Sequence, residues 1–166
     1  MQIRPMSLTD MPSVLAVQRA CYGPGHLEPL EAFASKLAAS PATCWVAEAA
    51  SGEVSAYLVC LPTDAKSLPA LHTTQWQAPA HADRLYLHDL AVSPSAQGLG
   101  LGPQLVARAR QVAQAQGWQQ LVLIAVQGSE PFWARQGFGV SFPPNAAIEA
   151  KLSSFGDTAR FMRAGL

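Results

Sequence analysis

The feature that most constrains the fold of this 166-residue chain is a strand, a glycine-rich loop and a helix that follow one another between residues 85 and 116. Residues 85–92 are mostly apolar and predict a strand, while residues 102–116 carry an apolar stripe at helical spacing and predict a helix. The loop between them ends in Gln97-Gly98-Leu99-Gly100-Leu101-Gly102. Its glycines leave a bare backbone whose N–H groups can converge on one anion, and the helix start adds unpaired N–H groups and a positive dipole end. This unit therefore predicts a pyrophosphate-binding site.

Two nucleotide-binding motifs make similar demands, and neither fits this loop. The dinucleotide fingerprint needs Gly-x-Gly-x-x-Gly directly after the strand and an acidic residue about twenty positions later. Here five residues separate Val92 from Gly98, the third glycine comes one position early, and no acidic residue stands at the expected distance. A P-loop needs Gly-Lys-Ser or Gly-Lys-Thr, whereas the chain has Gly102-Pro103-Gln104. A dinucleotide-binding fold therefore stays only as a distant alternative.

The rest of the chain predicts a single α/β domain over residues 1–166. The first helix starts near Asp10 and ends before Gly23-Pro24-Gly25. The other predicted elements are strands over residues 2–6, 44–49, 54–61, 121–126, 147–152 and 159–163, and helices over residues 30–39 and 129–135. Residues 62–83 show no clear period and predict a long functional loop. This order of elements predicts a mixed sheet with helices on its faces.

Composition and charge argue against several functions. Eleven basic and eleven acidic side chains give no net charge and no basic stripe, which disfavours a nucleic-acid partner. No apolar run approaches the roughly 18 residues of a membrane span, and the first residues show no signal-peptide pattern. The three cysteines form no Cys-x-x-Cys pair and the four histidines lack metal-ligand spacing. We expect a cytoplasmic protein with reduced thiols that binds no metal and does not associate with a membrane. The sequence is compatible with either a monomer or a homodimer.

Residues 90–102 resemble the acetyl-CoA signature of the GCN5-related N-acetyltransferase family. They read Leu-Ala-Val-x-Pro-x-x-Gln-Gly-x-Gly-x-Gly. The family motif has Arg or Gln, two spacers, Gly, one spacer, then Gly or Ala, and these are met by Gln97, Gly100 and Gly102.

Two further stretches are similar to the same family. Residues 132–138, Phe-Trp-Ala-Arg-Gln-Gly-Phe, resemble a block with an aromatic pair, a spacer and Gly-Phe. Ile3-Arg4-Pro5 followed by Asp10 resembles the family's start, so the resemblance covers about residues 2–140. It implies a mostly antiparallel central sheet with splayed strands and helices on both faces.

The resemblance also implies how acetyl-CoA binds. The pantetheine arm enters between the splayed strands and pairs with strand backbone, and the loop N–H groups hold the pyrophosphate. On this chain the implied cofactor-binding residues are Leu90, Ala91, Val92, Gln97, Gly98, Leu99, Gly100, Leu101, Gly102 and Trp133. Arg108, Arg110 and Arg135 are further candidates to reach the outer phosphate.

Acyl transfer to an amine needs a base that keeps the amine neutral and a donor that stabilises the oxyanion. His88 is the preferred catalytic base, because an imidazole titrates near neutrality and some family members carry histidine at the matching position. Tyr86 lies two residues earlier and shares the face of His88. Asp89 points to the other face unless a bulge intervenes, so it is a weaker catalytic candidate. The resemblance places the oxyanion donor at a backbone N–H near Leu90.

One position departs from the family. Its usual general acid is a tyrosine at the position of Trp133, and an indole N–H cannot deliver a proton at neutral pH. A thiol is a tolerable leaving group, and Tyr86 or water could substitute for the missing acid. The alternative is that Trp133 only packs in the core and that the domain binds acyl-CoA without catalysis, as a regulator.

The resemblance places the acceptor beside residues 21–27 and 62–83. These segments hold few charges and offer Tyr22, His26, His72, Trp76 and His81. Their composition favours a small, partly apolar amine, and a peptide N-terminus stays open. The leading hypothesis is an acetyl-CoA-dependent N-acetyltransferase in which a primary amine of a small molecule or peptide attacks the thioester directly.

Overall fold

The computed structural model describes residues 1–69 and 72–166, and one seven-stranded sheet runs through them. The strands are β1 (Gln2–Pro5), β2 (Cys44–Glu48), β3 (Val54–Thr63), β4 (Arg84–Val92), β5 (Gln120–Ala125), β6 (Gly139–Val140) and β7 (Arg160–Gly165). Their order is β1-β2-β3-β4-β5-β7-β6; β4 and β5 are parallel, and the other neighbours are antiparallel. The predicted α/β fold with a mostly antiparallel sheet is confirmed.

Helices cover both faces of this sheet. Within the described ranges they are α1 (Met11–Cys21), α2 (Leu30–Ala39), α3 (Leu101–Ala115), α4 (Glu130–Arg135) and α5 (Ala146–Ser153). The apolar stripe of α3 packs on one face, where Leu105 and Ala109 are fully buried. On the opposite face, α1 and α2 bury Val14 and Phe33, and α5 buries Ile148 beside Tyr86. The two faces therefore have separate cores with β4 between them.

The parallel pairing of β4 with β5 is short. It runs from Arg84 opposite Gln120 to Leu87 opposite Leu123 and then stops. Beyond that point β4 continues to Val92 paired with β3, and β5 continues paired with β7. The two strands thus separate in the middle of the sheet, as the resemblance implied, and leave a gap whose edges carry backbone groups that are not paired with a neighbouring strand.

A β-bulge lies where the two strands separate. Val59 of β3 is opposite Asp89, but the next residue of β3 is opposite Leu87, so His88 is an extra residue in β4. A bulge breaks the alternation of side chains along a strand. As a result, His88 and Asp89 both contact residues of the face opposite α3, which are Tyr86 and Tyr57 respectively. The sequence interpretation placed Asp89 on the other face from His88 unless a bulge intervened, and the structure contains this bulge.

The prediction of a strand over residues 147–152 is wrong, because this segment lies in α5. The Asn145 side chain accepts the Ile148 N–H at 3.0 Å and caps the helix, and the residues that follow favour helix. The sequence interpretation also missed β6, which is too short to show alternation. The strand predicted over residues 159–163 is β7.

Arg4 ties the first strand to the start of α1. Its guanidinium donates to both carboxylate oxygens of Asp10, at 2.8 and 2.9 Å, and to both of Glu48, each at 2.8 Å. The Asp10 carboxylate also accepts the Ser7 N–H at 2.8 Å. The hydrogen bonds from Arg4 lower the pKa of Asp10, although partial burial opposes them.

We expect Asp10→Ala to lower the free energy of unfolding by about 2 kcal/mol near neutral pH, because hydrogen bonds to a charged group contribute about 1.5–3 kcal/mol. Since the pKa of Asp10 is lower in the folded protein, this stabilisation is complete above the unfolded pKa of about 4 and declines as the pH falls through the folded value. Urea unfolding at several pH values measures both effects. The exposed Asp157 provides the control, and an Asp157→Ala cost as large as that of Asp10→Ala would contradict the prediction.

Candidate active site

The glycine loop opens the N-terminus of α3 to a cavity. Gly98 and Gly100 adopt φ values of +84° and +73°, a left-handed conformation that L side chains rarely take. Gly100 is the N-cap of α3, and no side chain caps the helix there, whereas Asn145 caps α5. The first-turn N–H groups of α3 therefore have no partner from the helix or from a cap.

The cavity at this helix start, which we name the loop cavity, has a volume of about 540 Å³. It is lined by Gln97, Gly98, Gly100, Leu101 and Gly102 of the predicted cofactor set, and by Val92, Ala96, Pro103, Phe132, Arg135 and Gln136. This cavity can bind a negatively charged diphosphate, because backbone N–H groups, the positive end of a helix dipole and one guanidinium face it. Leu99 is 57 % exposed and lies outside this lining.

Gly102 lets α3 approach α4 closely. A Cβ at this position would lie 3.1 Å from a ring carbon of Phe132, which is tighter than ordinary packing. Of the arginine candidates, Arg135 lines the loop cavity. Arg110 instead donates to the backbone carbonyls of Gly165 and Gln136, at 3.2 and 3.0 Å. Arg110 thus has a structural role that the sequence did not indicate.

Two further cavities continue from the loop cavity into the sheet. The β4 channel, of about 300 Å³, is lined by Ala20, Cys21, Tyr22, Leu90, Ala91, Val92, Pro94, Gln97, Gly102 and Phe132. The gap cavity, of about 200 Å³, lies where β4 and β5 separate and is lined by Tyr22, Leu87, His88, Leu90, Ile124, Val126, Gln127, Ser129, Phe132 and Trp133. Neighbouring cavities share lining residues, so they adjoin one another in a row from the glycine loop to His88, and we name this row the track.

The backbone of β4 faces this track at Leu90 and Val92. The Tyr22 hydroxyl donates to the Leu90 carbonyl at 2.8 Å, and the Cys21 thiol donates to the Val92 carbonyl at 3.2 Å. In a β-strand the N–H and C=O of one residue point to the same side. The N–H groups of Leu90 and Val92 therefore face the track too, where the resemblance expects the pantetheine arm.

Glu28, which the sequence interpretation missed, contacts the predicted base. Its Oε1 lies 2.6 Å from Nε2 of His88, and both side chains are almost completely buried. Gln18 holds Glu28 in place, because the Gln18 amide accepts the Glu28 N–H at 2.7 Å and donates to the Glu28 carbonyl at 3.0 Å. Sixty positions separate Glu28 from His88 in sequence, and no local pattern marks the pair.

Lys36 is the second partner of Glu28. Its ammonium donates to Glu28 Oε2 at 2.9 Å and to the Thr73 carbonyl at 2.8 Å, and its side chain is fully buried. The His72 N–H donates to the same carboxylate oxygen at 3.0 Å. Burial alone would raise the pKa of Glu28, but His88 and Lys36 outweigh it and lower this pKa to about 2. Glu28 is therefore a fixed anion that orients the imidazole of His88.

Asp89 lies in a second buried group on the same face. Tyr57 donates to Asp89 Oδ2 at 2.8 Å, and Tyr22 also interacts with this carboxyl. Burial raises the pKa of Asp89. Burial and the negative charge of Asp89 raise the pKa values of Tyr22 and Tyr57, so both phenols stay protonated.

Of Tyr86 and Trp133, only Trp133 lines a cavity of the track. Tyr86 is fully buried and lines none of the three cavities of the track; its hydroxyl lies 3.4 Å from His88 Nδ1. Trp133 does line the gap cavity, and its ring packs edge-on against Phe132 and Phe138. Tyr86 thus supports His88 from behind, and Trp133 forms a wall.

A small inner pocket of about 30 Å³ adjoins the gap cavity, with room for about one water-sized group. It is lined by Tyr22, His26, Glu28, His88, Asp89, Ile124, Val126 and Phe155. The acceptor candidates Tyr22 and His26 therefore reach the site, whereas His72 contributes its backbone N–H. Trp76 and His81 line none of these four cavities. The loop predicted over residues 62–83 includes residues 70 and 71, which lie outside the described residues.

The described residues contain no group of three or more His, Cys, Asp or Glu side chains that could hold a metal ion. Within the same residues, no helix is long and apolar enough to cross a bilayer.

The sequence profile of the Acetyltransferase (GNAT) family matches residues 11–138, and the chain therefore belongs to this family. A search of curated protein sequences finds no match.

Several solved structures share the fold. Ard1 from Thermoplasma volcanium is 15% identical, with a TM-score of 0.73 over 99% of this chain and 97% of that one. The PaiA N-acetyltransferase from Thermoplasma acidophilum, in complex with coenzyme A, is 14% identical, with a TM-score of 0.71 over 99% and 98%. The GphF GNAT-like decarboxylase, in complex with isobutyryl-CoA, is 13% identical, with a TM-score of 0.73 over 99% of each chain. At these identities the comparison shows the fold, and the site must indicate the chemistry.

We expect Lys36→Met to lower the free energy of unfolding by about 3–5 kcal/mol, because it leaves a buried carboxylate with one fewer cation. Because the Glu28 pKa is about 2 in the folded protein, the stabilisation from this cluster is present above about pH 4 and is lost as the pH falls toward 2. The variant should therefore show a weaker loss of stability on acidification. Urea unfolding tests this, with the exposed Lys66→Met as control, and equal costs would contradict the prediction.

A second prediction concerns the glycine loop. We expect Gly100→Ala to weaken the binding of coenzyme A about tenfold, because a left-handed conformation costs an L residue about 1–2 kcal/mol and the ligand must restore it. Titration calorimetry measures the change. Gly52 has φ of +86° in the β2–β3 turn, so Gly52→Ala brings the same strain away from the loop. Similar affinities for the two variants would contradict a ligand-binding role of Gly100.

Proposed function

We propose that this protein is an acetyl-CoA-dependent N-acetyltransferase that acts on a primary amine of a small molecule or peptide. The observation that carries the proposal is the buried Glu28–His88 pair at the inner end of a track that begins at the glycine loop. A ligand that places a diphosphate at the glycine loop and a thioester near His88 must be elongated. The row of cavities between these two points is elongated as well. We further propose a reducing, cytoplasmic setting, which is supported by the buried free thiols of Cys44 and Cys60.

His88 serves as the base in this proposal. When the Glu28 carboxylate accepts the Nε2–H, the lone pair lies on Nδ1, whose contact with the Tyr86 hydroxyl is a long 3.4 Å. The amine loses its proton to Nδ1, directly or through one water, as it attacks the thioester carbon. The imidazolium that forms is stabilised by the Glu28 anion, as in other carboxylate–histidine pairs.

The Leu90 N–H is the proposed oxyanion donor. It faces the track beside His88, and as a backbone group it needs no reorganisation when charge develops on the thioester oxygen. The inner pocket supports an amine acceptor, because it combines the carboxyl groups of Glu28 and Asp89 with apolar walls. Its small volume suits an amino group, with the rest of the acceptor outside.

We expect His88→Ala to lower kcat/KM by about 10²- to 10⁴-fold near neutral pH, since this is the usual contribution of a general base. The KM for acetyl-CoA should change little, because the phosphate loop is intact. A thiol-release assay over a panel of primary amines measures both constants. The exposed His81→Ala is the control. Full activity of His88→Ala between about pH 6 and 9 would remove His88 from the mechanism.

The same assay separates the competing functions. A regulatory domain binds acetyl-CoA in calorimetry but releases no thiol with any amine. A decarboxylase, the activity named for one structural neighbour, consumes an acyl-CoA without amine-dependent thiol release. No binding of acetyl-CoA at millimolar concentration would overturn the whole proposal.

A further inference from the structure

The segment between α1 and α2, residues 22–28, closes the inner end of the track, and we name it the strap. At its start the Tyr22 hydroxyl donates to the Leu90 carbonyl at 2.8 Å, and at its end Glu28 is held by its buried partners. Between these points the His26 Nε2 donates to the Phe155 carbonyl at 3.1 Å. Phe155 packs in the same buried cluster as residues of β5. The strap therefore joins β4 to the β5 side of the gap.

The closed strap limits the size of the acceptor. The inner pocket has about 30 Å³, and the gap cavity of about 200 Å³ must also hold the thioester end of the donor. Since a cavity of about 150 Å³ holds one benzene ring, the remaining space suits a short chain or a single ring. A peptide needs an exit for its chain, whereas the His26–Phe155 hydrogen bond joins two residues that both line the inner pocket.

The polar groups of the inner pocket suit a hydrogen-bond donor. The hydroxyl of Tyr22 and the Nε2–H of His26 are given to backbone carbonyls, and the Nε2–H of His88 is given to Glu28. The carboxyl groups of Glu28 and Asp89 also line the pocket, and the pKa of about 2 makes Glu28 an anion. An amino group donates hydrogen bonds and matches these acceptors, whereas a carboxylate is itself an acceptor.

The acceptor end of the site also lacks a cation among the described residues, because the linings of the gap cavity and the inner pocket contain no lysine or arginine there. The buried ammonium of Lys36 is taken by Glu28 and the Thr73 carbonyl. Arg160, at the start of β7, lies 3.6 Å from Glu130 and lines neither cavity. A carboxylate one carbon from the reacting nitrogen would therefore lie near Glu28 without a cation, which is unfavourable.

We propose that the acceptor is a small primary amine with no carboxylate on the carbon beside its nitrogen, such as an alkylamine or an arylalkylamine. This inference rests on the proposed function and narrows its acceptor class, since charge excludes free α-amino acids and size excludes peptides. The amine nitrogen bonds to the acyl carbon, and the C–S bond breaks with its electron pair on sulfur. The proton lost by the nitrogen passes to His88 and then to solvent, and solvent protonates the thiolate.

The test compares matched acceptors built on the skeletons of alanine, leucine and phenylalanine. Each skeleton is supplied as the amine without its carboxyl group, as the free amino acid, as the amino acid amide and as a tetrapeptide that begins with that residue. Thiol release gives kcat/KM, expressed per concentration of neutral amine so that the basicity of the acceptors does not enter.

We expect kcat/KM for the best amine to exceed that of its amino acid by about 100-fold or more, because like charges at a binding site disfavour association. The amide has the shape of the amino acid without its charge, so its loss should stay below about tenfold. The tetrapeptide should lose about 100-fold, because its chain clashes with the closed strap.

A first variant supplies the missing cation. Gln127 is exposed and lines the gap cavity, so Gln127→Arg should raise the ratio of kcat/KM for the amino acid to that for the amine at least about tenfold. Gln116→Arg adds the same charge at the exposed end of α3 and should leave this ratio unchanged. A ratio does not depend on how much of each variant is folded. Equal ratios in the two variants would overturn the argument from charge.

A second variant loosens the strap. His26→Ala removes the hydrogen bond to Phe155, so the ratio of kcat/KM for the tetrapeptide to that for the amine should rise about fivefold, as expected for the loss of one hydrogen bond. His81→Ala is the control, because His81 lines none of the four cavities. An unchanged ratio in His26→Ala would overturn the argument from size.

The wild-type protein separates this inference from the proposed function. If a free amino acid or a tetrapeptide reacts as well as the matching amine, the inference is overturned and the proposed function stands. If the protein binds acetyl-CoA but releases thiol with none of the acceptors, both are overturned.

Discussion

The end of β4–β5 pairing at Leu87 is the constraint on which the rest of the site depends. Parallel strands that stayed paired would fill the centre of the sheet with backbone hydrogen bonds and leave no track. Instead β4 bulges at His88 and continues with β3, while β5 continues with β7. The gap exposes backbone groups of β4, and the bulge turns His88 and Asp89 to the same face. One local irregularity thus forms both the channel and the side-chain arrangement beside it.

The buried charges around Glu28 keep this arrangement rigid. A carboxylate that is almost completely buried is costly unless it is paired, and Glu28 has His88, Lys36 and the His72 N–H as partners. Lys36 also binds the Thr73 carbonyl, so the same cluster fastens the segment before β4 against α2. The network therefore orients the imidazole and shapes the pocket beside it at once.

Two groups of buried side chains beside the gap cavity differ in whether they accept or retain a proton. The Glu28–His88 pair is suited to accept a proton, and the Tyr22–Asp89–Tyr57 group is suited to hold one. Trp133, in the position where the family usually has tyrosine, is a packed wall of the gap cavity.

Much of the fold and the cofactor loop was predictable from local signals. The apolar pattern of β4, the glycines that permit positive φ and the stripe of α3 lie within about thirty residues, so the sequence alone indicates the loop cavity. The strand predicted over residues 147–152 failed for a local reason, because the Asn145 cap was overlooked. The charged partners of His88 could not be predicted in this way, because Glu28 looks in the sequence like any acidic residue before a helix.

By itself, the sequence determined the order of strands and helices as far as α4, the phosphate loop and the choice of His88 as a candidate base, because each depends on residues close together in the chain. Only the tertiary structure decided that Glu28 and Lys36 surround His88, that Tyr86 lies behind it, and that Tyr22 faces the track. Those contacts join α1, α2 and β4 across the sheet. Their physical basis is the burial of charges that must find partners, and spacing along the chain does not encode which partners these are.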